Sequence, residues 1–194
     1  MSTLFVNTIN TASGTDITIP TGKKLVVADE GGVIVPGTII QVKSGVKRDT
    51  TAHTGATFSD IGLSATITPK QSNSHIMIVA SVAAQSNQTS VATLRLLRDS
   101  TVILPDNPTS PGSRNVGMYD VYNPDAGGGA YAIQSLSFNF VDEGRSSGTS
   151  AITYKFQVKS HGGGLTVINR SATDSDASNY VRSTSHIQIM EVAQ

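Results

Sequence analysis

From Ile152 to Val158 every second residue is apolar. Ile152, Tyr154, Phe156 and Val158 fall on one face of an extended chain, and Thr153, Lys155, Gln157 and Lys159 on the other. The same pattern sets Leu136, Phe138 and Phe140 against Ser135, Ser137 and Asn139. It also places Phe58, Leu63, Ala65 and Ile67 inward, with Ser64, Thr66 and Thr68 outward. Alternation with a period of two predicts half-buried antiparallel strands. A slip of one residue would turn each apolar set to water, so the register of these strands is well specified. Residues 75–84, "HIMIVASVAA", are apolar or small on both faces. They predict a central strand, or one whose outer face meets another subunit. A buried helix is the competing reading, which β-branched Ile and Val and the turn-like "TPKQSNS" before them disfavour.

"TLRLLRDSTVILP" predicts a hairpin turning at Asp99 and Ser100, and "TSHIQIMEV" a last strand paired into a sheet. "DNPTSPGSRN", "NPDAGGGA" and "SHGGG" mark loops and tight turns. From Thr38 onward the pattern predicts roughly eight to ten strands and no amphipathic helix. The expected fold is all-β: an antiparallel sandwich of jelly-roll type.

Ahead of Gly37 the texture changes. In "TDITIPTGKKLVVADEGGVIVPGTIIQV" the pairs Ile17/Ile19, Leu25/Val27 and Val33/Val35 are separated by Thr-Gly, Asp-Glu-Gly-Gly and Pro-Gly. Each burst predicts a strand of about three to five residues, too short to cover a core of its own. Residues 1–37 therefore read as an extended, β-rich stalk or anchor, and residues 38–194 as the head. Three copies wound about a shared axis would cover the apolar residues of the arm; docking into another protein would serve equally.

Composition narrows the function. Fourteen Lys and Arg balance fourteen Asp and Glu over 194 residues, so a broad electrostatic grip on nucleic acid or an anionic membrane is not expected. Glu occurs only at Glu30, Glu143 and Glu191, which with the abundance of Ser, Thr, Val and Ile favours β structure. There is no Cys, which removes disulfides and thiolate metal sites. No window approaches the ~20 apolar residues of a membrane span, and the N-terminus lacks the pattern of a signal peptide.

Candidate chemistry is sparse. His53, His75, His161 and His186 stand apart, without the spacing of a metal or catalytic pair. Asp120, Asp125, Asp142 and Glu143 are the carboxylates that a glycosidase-like site could recruit. "TDSDASN" aligns Asp174, Asp176, Ser178 and Asn179 like the start of a calcium loop. Asn179 stands where such a loop needs Gly, and Ser185 where it needs Glu, so a solvated turn is the better reading. Gly127 to Gly129 and Gly162 to Gly164 lack the Lys and strand-to-helix setting of phosphate loops and read as turns. Arg95, Arg98, Arg114, Arg145, Arg170 and Arg182 are scattered and suit ion pairs with Asp99 or Asp174-type neighbours. Tyr119, Tyr122, Tyr131 and Tyr180 sit near loops, a thin supply of rings for sugars or bases. No catalytic, cofactor-binding or metal residue is assigned, and no cofactor is expected.

One resemblance extends over essentially the whole chain. "MSTLFVNTINTASGTDITIPTGKKLVV" resembles the N-termini of tail-fibre and other virion structural proteins of tailed bacteriophages, especially marine and cyanobacterial ones. "GTIIQV", "GLSATITPKQSNSHIMIVASV" and "VINRSATDSDASNYVRSTSHIQIMEV" are similar to a C-terminal domain that recurs in them. The resemblance implies a non-enzymatic virion appendage, a homotrimer with a jelly-roll head. It would attach to other virion proteins by its N-terminal part and present the head outward for host attachment. Its partners would be those proteins and a host-surface glycan or protein, without nucleic acid or membrane insertion. It would be made in the host cytoplasm and reside in the virion. The loops at 107–115, 123–130 and 171–179 are the expected contacts. The chain is short for a whole tail fibre, which keeps a capsid decoration or head-fibre protein as the alternative. A polysaccharide-degrading tailspike is the third reading.

Overall fold

The computed structural model describes residues 18–29, 32–87, 91–105, 112–122, 131–143 and 148–194. Among them are eleven strands and no helix: β1 (Ile39–Lys47), β2 (Thr51–His53), β3 (Ser59–Ile67), β4 (His75–Ser86), β5 (Val91–Arg98), β6 (Thr101–Leu104), β7 (Tyr119–Tyr122), β8 (Gln134–Asp142), β9 (Ile152–Ser160), β10 (Thr166–Ile168) and β11 (Ser185–Val192). The count exceeds the sequence expectation because β2 and β10, of three residues each, are too short to show a period.

Pairing is nested. Leaving aside the short β2, β6 and β10, the first strand pairs with the last, β1 with β11, and then β3 with β9, β4 with β8 and β5 with β7, all antiparallel. The chain thus runs as one long hairpin doubled over on itself. Pairing of β11 with β4 and of β9 with β5 joins these ladders into two sheets, β1-β11-β4-β8 and β3-β9-β5-β7. The pieces β10 and β2 extend the first sheet, and β6 the second. The two antiparallel sheets pack face to face as a β-sandwich.

Alternation fills the space between them. Ile76, Ile78, Ile187 and Ile189 from one sheet meet Leu94, Leu96, Tyr154 and Phe156 from the other, all fully buried. The inward sets expected for β8 and β9 hold: Leu136, Phe138, Ile152, Tyr154, Phe156 and Val158 are buried, and Phe140 packs on the same core. β4 is the central strand, with β11 on one side and β8 on the other. The β5–β6 hairpin turns at Asp99, which takes a left-handed φ of 52°.

Two expectations fail. Phe58 does not face the core: it shares parity with Asp60, lies on the outer face and carries the Arg95 guanidinium 3.8 Å from its ring centroid. Ile61 takes the inward place, wholly buried, in a β3 whose register shifts between Asp60 and Ser64, around Gly62 at φ 82°. The arm also departs from expectation, since residues 18–29 and 32–38 contain no strand. A lone extended segment finds no neighbour to receive its ladder bonds, and Leu25 and Val26 are left 70% and 82% exposed. Ile17 lies outside the described residues. The arm meets the head through a turn at Pro36–Gly37, where the Thr38 amide donates to Val35 O at 3.0 Å. The Gly37 amide then donates to Ala193 O, and the Ala193 amide to Thr38 O, both at 2.9 Å.

The sheets come close where β3 crosses β1. A Cβ on Gly45 would stand 1.9 Å from the carbonyl oxygen of Ser64, and a backbone atom cannot step aside as a side-chain tip can. Gly45→Ala is expected to cost about 1–3 kcal/mol through the forced separation of the two strands, read as a lower urea midpoint at unchanged m-value.

Candidate functional site

Most of the side chains that could do chemistry are tied into three clusters, two of them facing the core and the third on the outer face of the second sheet. Glu191 continues the inward series Ile187, Ile189 of β11 and is fully buried. Its Oε1 accepts from Ser74 Oγ at 2.6 Å and from the amides of Lys70 and Gln71 at 2.9 Å. Its Oε2 accepts from Gln41 Nε2 at 2.6 Å. Burial on its own would raise the carboxyl pKa, but the bonds from Ser74, Gln41, Lys70 and Gln71 together hold it below the ordinary 4.5. A carboxylate supplied in this way is an acceptor that pins the turn between β3 and β4.

Asp142 ends the inward series of β8. Arg98 Nη1 on β5 donates to its two oxygens at 2.8 and 2.9 Å, and the Tyr154 hydroxyl on β9 donates at 2.8 Å. The cluster ties one sheet to the other, and it occupies both oxygens of a carboxylate that sequence offered as a candidate acid.

The third cluster has the residue types of a nucleophile site in the wrong order. Thr93 on β5 is fully buried, donates its hydroxyl proton to Asp120 Oδ1 at 2.8 Å and lies 2.9 Å from His161 Nε2. A hydroxyl has one proton to give, so His161 Nε2 must be the donor in the second bond. A nitrogen that already carries its proton cannot take one from Thr93, which general-base activation requires. Gly117 closes over the Thr93 side chain on its methyl side, since a Cβ there would stand 1.6 Å from Thr93 Cγ2.

The other histidines lie elsewhere. His53 Nδ1 is bonded to Ser59 Oγ at 2.9 Å, and His75 and His186 belong to the outer face of the first sheet. Burial lowers the pKa of both His53 and His161 from 6.5, with Lys47 adding to the first and Lys159 to the second, against the pull of Asp120. The unfolded chain therefore binds these protons more readily. Their contribution to stability is complete above pH 6.5 and is lost as pH falls through the folded values. The urea midpoint is expected to drop between about pH 7.5 and about pH 5.5, and to drop less in a His53→Gln, His161→Gln double variant.

Asp174 is claimed by two cations. Arg182 Nη2 lies 2.5 Å from Oδ1 and Arg170 Nε 3.9 Å from Oδ2. Asp176, Ser178 and Asn179 are exposed in the same loop. Among the described residues no three His, Asp or Glu side chains are grouped closely enough to hold a metal ion. The loop nonetheless frames an open cleft of about 410 Å³ lined by Asp174, Asp176, Tyr180 and Arg182. The Tyr180 ring packs against Tyr131 at 5.1 Å, and burial, reinforced by Tyr131, raises its phenol pKa above 10. A second groove, of about 350 Å³, runs between β7 and β8 beside Leu104, Met118, Tyr119 and Phe138. Asp125, Gly127 to Gly129 and Arg145 lie outside the described residues, as does the whole 123–130 loop and most of the 107–115 loop. Glu143 is exposed just past β8.

The two outer faces are unlike. On the second sheet Lys155 Nζ meets Asp60 Oδ2 at 2.9 Å, Gln157 Nε2 donates to Asp60 Oδ1 at 2.6 Å, and Arg95 donates to Gln157 Oε1 at 2.6 and 2.9 Å. On the first sheet an apolar row crosses four strands in register: Val42, Met190, Met77 and Val141. The next two rows, from Ser44 to Asn139 and from Val46 to Ser137, contain only Ser, Val, Gln, Asn and His. Sequence reasoning caught these rows only at β4, whose outer face it offered to another subunit; the other members lie as far apart as Val42 and Met190, and only the register brings them together. Glu191 and Asp142 did leave a signal, since each continues an inward apolar series at spacing two.

No family model matches the chain, and no curated protein is significantly similar to it.

Proposed function

We propose that the protein is a non-enzymatic structural component of a bacteriophage virion, a trimeric tail fibre or related appendage that serves host attachment. The observation that carries this reading is the arm. Ile19, Leu25, Val26, Val33, Ile34 and Val35 are exposed on a single chain, where apolar side chains grouped in this way mark a surface meant to be covered. Three arms wound together, or an arm seated on another virion protein, would cover them. The nested pairing of β1 with β11, β3 with β9, β4 with β8 and β5 with β7 fits the jelly-roll head expected of such an appendage. The polar clusters favour a structural role over an enzymatic one, because Glu191, Asp142 and Thr93 spend their hydrogen-bonding capacity on the sandwich itself.

Three heads on one stalk would turn weak contacts into firm attachment, since each contact after the first forms at high effective concentration. The cleft beside Tyr180 is the described place best suited to a host-surface glycan, with a ring edge, a guanidinium and carboxylates within reach of sugar hydroxyls. Tyr180→Ala is expected to reduce binding to host cells by about tenfold or more while the circular dichroism spectrum is kept. Electron cryomicroscopy of particles carrying the chain tests the assignment. Threefold density on the tail supports it, density that follows the capsid lattice makes the protein a decoration or head fibre, and breakdown of host polysaccharide that one acidic substitution abolishes makes it an enzyme.

A further inference from the structure

A sandwich core dictates the inner faces of its sheets and leaves the outer faces to solvent, yet only one outer face here is dressed for solvent. The second sheet carries Asp60 paired with Lys155, and Arg95 bonded to Gln157, which in turn donates to Asp60. On the first sheet the three rows that span β1, β11, β4 and β8 hold no Asp, Glu, Lys or Arg. Their leading row is wholly apolar, with Val42 44% and Val141 42% exposed at its ends and Met77 and Met190 half-buried between them.

We propose that this uncharged face is where the heads of neighbouring copies of this chain pack against one another, an inference that rests on the trimer reading above. Depletion of charge and enrichment in Met distinguish the centre of a protein–protein interface from ordinary surface. The thioethers at its middle adapt to an opposing surface better than branched side chains do. The face admits its own copies on electrostatic grounds: uncharged surfaces turned toward a common axis meet without like-charge repulsion, and the balanced charges of the whole chain set up no long-range repulsion. An anionic lipid surface would call for Lys or Arg around the apolar row, and the rows have none. Position agrees as well. The arm joins the head along β1, the edge strand of this sheet, and Val35 and Ile39, 48% and 55% exposed, lead from the apolar row to the arm. Arms gathered at a common axis would bring this sheet, not the charged one, toward its neighbours.

The absence of Cys makes the test clean. Gln188→Cys puts a single thiol in the middle of the face, and Thr66→Cys puts one on the outer face of the opposite sheet. Maleimide labelling of each full-length variant is followed at assembling and dissociating concentrations, with mass measured in parallel by sedimentation. The thiol at 188 is expected to react about tenfold more slowly in the assembled state, and the thiol at 66 at the same rate in both. Adding Met77→Lys and Met190→Lys to Gln188→Cys is expected to restore fast labelling at assembling concentrations, with the circular dichroism spectrum intact because both side chains point away from the core. A three-chain mass with both thiols reacting equally fast overturns the proposed face and leaves the trimer standing. A single-chain mass at every concentration overturns the trimer, and the face with it.

Discussion

Replacing Glu191 by alanine is expected to lower the unfolding free energy by about 3–5 kcal/mol, a large part of the ~5–15 kcal/mol of an ordinary domain. The substitution removes the shared acceptor of Gln41, Ser74 and the amides of Lys70 and Gln71 in a place that water does not reach, since Glu191 is fully buried. Glu191→Gln keeps one acceptor oxygen but turns an amide toward existing donors, for an expected loss of about 2–3 kcal/mol. Because the folded carboxyl is held below the ordinary 4.5, the unfolded chain takes up the proton first. The contribution of Glu191 is therefore complete above that pH and disappears as pH falls through the folded value. Urea unfolding at about pH 7 and about pH 3.5 should show wild type losing more stability on acidification than Glu191→Gln.

Asp142→Ala is expected to cost about 3–4 kcal/mol, because it deprives the part-buried Arg98 guanidinium of its counter-ion and the Tyr154 hydroxyl of a bond at 2.8 Å. Its partners show what the loss consists of. Exchanging the whole cluster, Asp142→Leu with Arg98→Met and Tyr154→Phe, should be milder than Asp142→Ala alone, since no charge is then left uncompensated between the sheets. Equal losses in the two variants would mean that the cluster contributes by packing rather than by charge. Both experiments concern the head, and they leave the assembly of the arm to be tested separately.

Period-two alternation made much of the head legible from sequence. It carries most information where the two faces of a strand differ in polarity, as at Ile152 to Val158 and Leu136 to Phe140, and there the inward sets hold residue for residue. It misplaced Phe58, an apolar residue on the parity of Asp60, because an aromatic ring can be sheltered on an outer face by a guanidinium laid over it. Inward parity was equally readable at Asp142 and Glu191, each of which breaks an apolar series with a charge that must find partners inside. The partners themselves were not readable. Thr93 lies 27 residues from Asp120 and 68 from His161, and only the register of β5 with β7 and β9 brings the three together. Asn169 is a similar case: at φ 63° it donates to the carbonyls of Lys47 and Asp49 and accepts from Ser185 Oγ, stitching β1 to β11 from a position that looks like an ordinary turn. The apolar row of the first sheet is hidden for the same reason. The arm was legible as a segment without a core, but its described residues, 18–29 and 32–37, form none of the strands expected there.

Everything proposed about assembly depends on apolar side chains of the arm, Leu25 and Val26 foremost, finding cover from other copies. Sedimentation equilibrium of the purified full-length chain measures this most directly. The account predicts a stable species of three times the 20.2 kDa chain mass. A folded chain that stays at its single mass up to its solubility limit would contradict it.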